Sequence, residues 1–274
     1  MKLKFSIFIL SALVFMTSCV STIRHNLIAQ VDNSRTISEA TLNKYISTLQ
    51  LNILQNMGRY DRLEIQFIDE CSLTKAERVF SLDLAAMEFS NKADGMNNAE
   101  NFTKERMKKF LADSISSILK TIIIAKREER KDCGNFTDII NALNEATSLL
   151  IHKKSYKNTV EMILNAVQGK DNYEYENSVI IFSDMVNENR EKTFDFTEFG
   201  KCDEEMINNK LEALHKLNKI PDLSGCKILI YGATSTVTDI YANKQIENCK
   251  IRARKKYSIF GALLRDAVSG SGVC

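Results

Sequence analysis

Tryptophan is absent from the 274 residues, proline occurs once and histidine three times. His25, His152 and His215 are far apart in the chain and no two cysteines form a Cys-x-x-Cys, so the ligand clusters that hold structural zinc are missing. There is no Gly-x-x-x-x-Gly-Lys-Ser/Thr phosphate loop and no Gly-x-Ser-x-Gly nucleophile turn, which removes two common sequence routes to nucleotide and ester hydrolysis. No apolar run reaches the roughly 20 residues that a helix needs to cross a bilayer. What the chain does have is 44% hydrophobic residues, enough for one large core. With a single proline there is also little to interrupt long helices.

The first segment is of a different kind. Lys2 and Lys4 precede an apolar run from Phe5 to Met16, then the small residues Thr17 and Ser18, then Cys19. A basic start, a short apolar stretch and a small-residue cleavage site make a secretory signal peptide over residues 1–18. Met16-Thr17-Ser18-Cys19 resembles the bacterial lipobox, with Met where Leu is commoner. That resemblance implies cleavage before Cys19 and a covalent lipid, palmitate included, on that residue. Each buried methylene contributes about 0.8 kcal/mol, so two or three acyl chains hold a protein at a membrane durably. Val20, Ser21 and Thr22 follow, without the aspartate that marks inner-membrane retention in some bacteria, so a lipid-anchored place at the outer membrane of the cell envelope is favoured over the inner.

Removing Lys2 and Lys4 from the 37 basic residues leaves 35 basic against 35 acidic, a neutral domain with nothing to steer it to nucleic acid. Arg252-Ala253-Arg254-Lys255-Lys256 reads as the solvated end of a helix. Six cysteines remain after Cys19 (Cys71, Cys133, Cys202, Cys226, Cys249 and Cys274), and an exported chain can oxidise them, in pairings the sequence does not choose.

Patterning divides the rest. Residues 19–37 read as a lipidated N-terminus and polar tether, 38–57 as a helix capped by Ser38 and ended by Gly58, 58–262 as the main domain and 263–274 as a tail. Within the domain, Leu63 to Asp69 reads as a strand entering a core, Thr74–Ser90 and Thr103–Ile124 as helices, Thr137–Ile151 and Lys157–Val167 as two more. Ser178 to Asp184 reads as a buried strand ending on a carboxylate, followed by a helix over about 203–218, a strand over 227–232 and a basic helix over about 238–257. Strands separated by helices predict an α/β fold, a mostly parallel central sheet with helices on both faces. Asp69, Asp184 and the loop after Tyr231 then share the rim at the strands' carboxyl ends, where such folds bind ligands.

Three segments carry a family resemblance: Phe67-Ile68-Asp69-Glu70-Cys71-Ser72-Leu73-Thr74, Asn135-Phe136-Thr137-Asp138-Ile139-Ile140-Asn141-Ala142-Leu143, and Val179-Ile180-Ile181-Phe182-Ser183-Asp184-Met185. In order and spacing they resemble the von Willebrand factor type A domain over about residues 60–262, a Rossmann-like three-layer sandwich. That family's metal-ion-dependent adhesion site is an Asp-x-Ser-x-Ser, a threonine and an aspartate. The resemblance carries these roles to Asp69, Thr137 and Asp184 as ligands of a hard cation such as Mg2+, with Cys71 and Leu73 where the two serines belong. Each of the three also has a plainer reading, the aspartates as loop caps and Thr137 as the N-cap of its helix. The same resemblance brings Cys71 and Cys133 to one rim, where a disulfide could replace metal as the staple. It puts two strands between the first strand and Thr137, where the pattern shows helix and only Leu119–Ala125 could be extended.

Three functions compete. The resemblance implies a lipid-anchored binding or scaffold module, not an enzyme, that meets a protein partner through its rim. The alternatives are a magnesium-dependent hydrolase using Asp69 or Asp184, and an inert structural lipoprotein of the envelope.

Overall fold

The longest strand is one that its polar residues conceal. Thr22–Asp32 forms β1, the eleven-residue middle strand of a five-stranded sheet. The structure, a computed structural model, describes residues 22–72, 78–84, 86, 105–151, 173–185, 187 and 204–232. The signal segment, Cys19, the helices expected over 157–167 and 238–257 and the tail 263–274 lie outside these residues.

β1 overturns the tether expected over residues 19–37 and moves the start of the domain from residue 58 to residue 22 or earlier. Asn26 and Gln30 made this stretch look exposed, yet both have no solvent exposure. Their amide N–H groups are answered inside: Asn26 donates to the Leu149 carbonyl at 2.9 Å and to Asn177 Oδ1 at 2.8 Å, and Gln30 donates to the Ala142 carbonyl. A buried amide is tolerated where it finds such partners.

The sheet runs β3-β2-β1-β4-β5. β2 (Arg62–Ile68) and β4 (Tyr173–Phe182) flank β1 in parallel, with Asp32 opposite Ile68 on one side and Val31 opposite Phe182 on the other. β5 (Lys227–Tyr231) continues in parallel beside β4. β3 (Arg78–Asp83) is antiparallel to β2 and stands inside the stretch expected to be helical over Thr74–Ser90. Val79, Phe80 and Leu82 favour strand and are buried there, which outweighs the helical spacing. The two strands missing between Asp69 and Thr137 are thus accounted for differently. The chain's first strand lies upstream, and the Leu63 strand is the second.

Helices cover both faces, as parallel strands require. On one face, Ala29, Val31, Leu63, Ile65, Ile180 and Phe182 pack against α1 (Glu39–Thr48) and α2 (Ser116–Glu129) through Leu42, Ile46, Leu119 and Ile123. The helix expected over Thr103–Ile124 enters α2 through a π-helical turn at Phe110–Ile115. Leu119–Ala125 is helical throughout. Ser38 caps α1 as expected, its hydroxyl accepting from the Thr41 backbone N–H at 3.1 Å. On the other face, Ile28, Ile68, Val179 and Ile181 meet α3 (Ile139–Thr147) and α4 (Glu204–Lys216) through Ile140, Leu143, Ala146, Leu211 and Leu214. The sheet is therefore the middle of three layers, an α/β architecture. Among the described residues no helix is long and apolar enough to cross a membrane.

Candidate functional site

Parallel strands end together, so the carboxyl ends of β1, β2, β4 and β5 deliver Asp32, Asp69, Ser183-Asp184 and Gly232 to one rim. The two aspartates at the ends of β1 and β2 live in opposite surroundings.

Asp69 is fully enclosed and its oxygens are taken. Arg130 donates through Nη2 to Oδ1 at 2.8 Å and through Nε to Oδ2 at 2.9 Å, a two-pronged pair. The Cys71 backbone N–H also donates to Oδ1 at 3.0 Å, and Asn33 Nδ2 lies 3.3 Å from Oδ2. A guanidinium already supplies the positive charge there. Of the three residues carried over from the sequence, Asp69 has both carboxylate oxygens engaged by Arg130. Cys71 and Cys133 are joined by a disulfide across a sequence separation of 62, which ties the turn after β2 to the loop before α3. Both sulfurs lie close to Asp69, but bonded to each other they offer no thiolate to a metal. The same loop is clasped from β1's side, where the Arg35 N–H donates to the Gly134 carbonyl at 2.8 Å.

Asp32 is equally buried, and among the described residues its donors are neutral: the Ser34 backbone N–H at 2.9 Å to Oδ1 and the Ser183 hydroxyl at 2.8 Å to Oδ2. Burial, and then the nearby charge of Asp184, push its carboxyl up to about 7 from the ordinary range near 4. The Ser34 hydroxyl lies 2.8 Å from that of Thr36. Asp32-Asn33-Ser34-Arg35-Thr36 thus puts a carboxylate and two hydroxyls at alternate positions as the chain leaves the central strand. The sequence did contain this signal. Its polar surroundings resemble a tether, and without a strand before it the motif has no reason to sit on a rim.

Thr137 and Asp184 come to the same rim, both nearly buried. Thr137 is not the N-cap of its helix. Asp138 caps α3, accepting from the Asn141 N–H at 3.2 Å, and Asn187 accepts from the Ile139 N–H at 2.8 Å. Beyond Asp184 the backbone of Met185 takes a positive φ of 63°, uncommon for a residue with a side chain, and its N–H donates to the Ser183 hydroxyl at 3.0 Å. Strain of this kind collects at functional loops.

Tyr45, on α1, closes the rim from the side, and nothing in the sequence pattern marked it for that place. Its ring lies 5.6 Å from that of Phe182, which stacks on Tyr231 at 5.0 Å. Its hydroxyl is buried and has no hydrogen-bond partner among the described residues. Burial, then the charges of Asp32 and Asp184, raise its ionisation above the ordinary tyrosine range, so it stays a proton donor. Gly232 makes room for it. A side chain there would meet the Tyr45 hydroxyl and stand 3.0 Å from the Ser183 carbonyl, and the local φ of +100° also calls for glycine.

No known protein-family model and no curated protein matches the sequence. The chemistry of the rim is therefore read from its own atoms. A buried carboxyl whose protonation is raised by burial and by the charge of Asp184, with hydroxyl oxygens around it, forms an oxygen-rich set of the kind hard divalent cations take. Asp32, Asp184, Ser34, Thr36 and Thr137 are the residues that could hold such an ion.

Proposed function

We propose that this chain is a lipid-anchored binding module of the cell envelope, a von Willebrand factor type A-like domain in which Asp32, Ser34, Thr36, Thr137 and Asp184 hold a divalent cation such as Mg2+. The observation that carries the reading is the buried Asp32 facing the charge of Asp184 at the carboxyl end of the central strand. Without a cation these two charges oppose each other, and with one they become a binding site. A bound magnesium would supply an open coordination position for an acidic group of a protein partner. The protein's own residues hold the carboxylates in place: Ser34 and Ser183 fix Asp32, and Asn187 fixes the start of α3 beside Thr137. The strand order, with one antiparallel strand at the β3 edge, supports the same family reading. So does the Asp-x-Ser-x-Thr that follows β1.

Lipid attachment at Cys19 would confine the domain to the envelope, where tethering raises the effective concentration of partners and makes weak rim contacts count. Calorimetric titration of the chain from residue 20 onward with Mg2+ and Mn2+ tests the site. Saturable binding that is lost in both Asp32→Ala and Asp184→Ala is expected, and an absence of heat and of any thermal shift with either ion would overturn the reading.

A further inference from the structure

β1 begins at Thr22, three residues beyond Cys19. Three residues of chain, fully extended, span at most about 11 Å. An acylated Cys19 therefore holds the amino end of the central strand close against the bilayer, with no linker on which the domain could swing. The eleven residues of β1 rise at about 3.3 Å each, so Asp32 stands on the order of 35 Å from that end.

The side chains at the amino end suit a lipid interface. The Arg24 guanidinium lies 5.1 Å from the centre of the Tyr60 ring and 5.8 Å from that of Tyr175, and it donates to the Tyr175 hydroxyl at 3.1 Å. Arg59 lies 5.5 Å from the Tyr60 ring, and Ile23 is 56% exposed. Tyrosine and arginine beside an aliphatic side chain match the boundary between headgroups and acyl chains, where a ring can enter the apolar side while its polar tip stays wet. Two acidic groups toward this edge have partners: Glu176 stands 3.3 Å from His25 Nδ1, and Arg62 sits on the Glu64 carboxylate. The opposite rim carries Asp32 and Asp184, which an anionic leaflet would repel.

We propose that the amino-terminal edge of the sheet, bearing Ile23, Arg24, Arg59, Tyr60 and Tyr175, rests on the lipid headgroups and that the Asp32–Asp184 rim faces away from the bilayer. The proposal rests on the lipid-anchor reading and fixes the direction in which the anchored domain presents its site. A partner on the same bilayer meets the domain's flanks, and one reaching across the compartment meets the rim.

The absence of tryptophan makes a background-free test available. Full-length protein carrying Tyr60→Trp, Tyr175→Trp or, at the rim, Asn135→Trp is purified with its native acylation and reconstituted into phosphatidylcholine–phosphatidylglycerol vesicles containing brominated acyl chains. Blue-shifted emission quenched at least twofold is expected for the Tyr60→Trp and Tyr175→Trp proteins, with no quenching for Asn135→Trp. Equal quenching at both ends, or quenching at the rim alone, overturns the orientation. The mass of the N-terminal peptide is read on the same samples. An unmodified Cys19 would sink the anchor reading itself, whereas an acylated Cys19 with unquenched Tyr60→Trp and Tyr175→Trp proteins sinks only the orientation.

Discussion

Asp32 and Asp69 end adjacent strands, are equally buried, and differ in what faces them. Asp69 faces a guanidinium, an asparagine amide and a backbone N–H, beside a disulfide that ties its turn to the next loop. Asp32 faces two neutral donors and the field of a second carboxylate. The first arrangement satisfies a charge and holds two loops together. In the second, burial and the charge of Asp184 disfavour ionisation of Asp32, a cost to the fold whenever that carboxyl is charged. A buried carboxylate at a strand end is therefore not by itself a ligand, because its neighbours decide whether it staples or binds.

The largest way to break this contrast is Asp69→Ala. It takes the two-pronged carboxylate partner from Arg130, 6% exposed, and the expected loss is about 3–5 kcal/mol of unfolding free energy in urea titrations. A change under about 1 kcal/mol would show that Asp69 does not act as the clamp. Replacing both Cys71 and Cys133 with serine should cost somewhat less. Opening a loop of this separation returns about 2–4 kcal/mol of chain entropy to the unfolded state, and reduced wild type should match the double variant.

Asp32→Asn should act in the opposite direction. The folded-state pKa of Asp32 is raised, so between pH 4 and about 7 the native state binds a proton that the unfolded state releases, and cation-free stability should fall as pH rises through that window. The amide variant removes that burden. It should be about 1–2 kcal/mol more stable than wild type at pH 7.5 without cation, lose much of the slope across that window, and gain nothing from added Mn2+. Thermal melts at several pH values, with and without Mn2+, measure all three, and an Asp32→Asn protein less stable than wild type at pH 7.5 would refute the strain between the two carboxyls. The smallest effect belongs to Tyr45→Phe. Its hydroxyl has no partner to lose among the described residues, so cation-free stability should change by less than about 1 kcal/mol in the same melts. A larger loss would mean that the hydroxyl contributes to the fold through a contact beyond the described residues.

Much of the architecture was legible. The β2, β4 and β5 strands, helices α2, α3 and α4 and the α/β class follow from apolar runs and helical spacing, and the sequence marks Cys71 with Cys133, Thr137 and Asp184 as rim residues. β1 and β3 were not legible, for different reasons. β1 hides because a middle strand with amides answered by Leu149, Asn177 and Ala142 does not look apolar. β3 hides because six residues with Val79, Phe80 and Leu82 fit a helix period nearly as well as a strand. With β1 hidden, the strand ending at Asp69 took the place of the first strand, and Asp32 was not among the expected rim residues.

By itself the sequence determined the layers: where apolar residues recur, which segments can be buried, and that carboxylates stand at strand ends. Those properties are local, set by side-chain period and turn chemistry. Tertiary structure alone decided that Thr22–Asp32 is the middle of the sheet, that Arg130 reaches Asp69 and that Tyr45 and Gly232 fit together at the rim. These depend on pairing between residues far apart in the chain, and no local pattern specifies which buried charge will meet a counter-charge and which will meet its like.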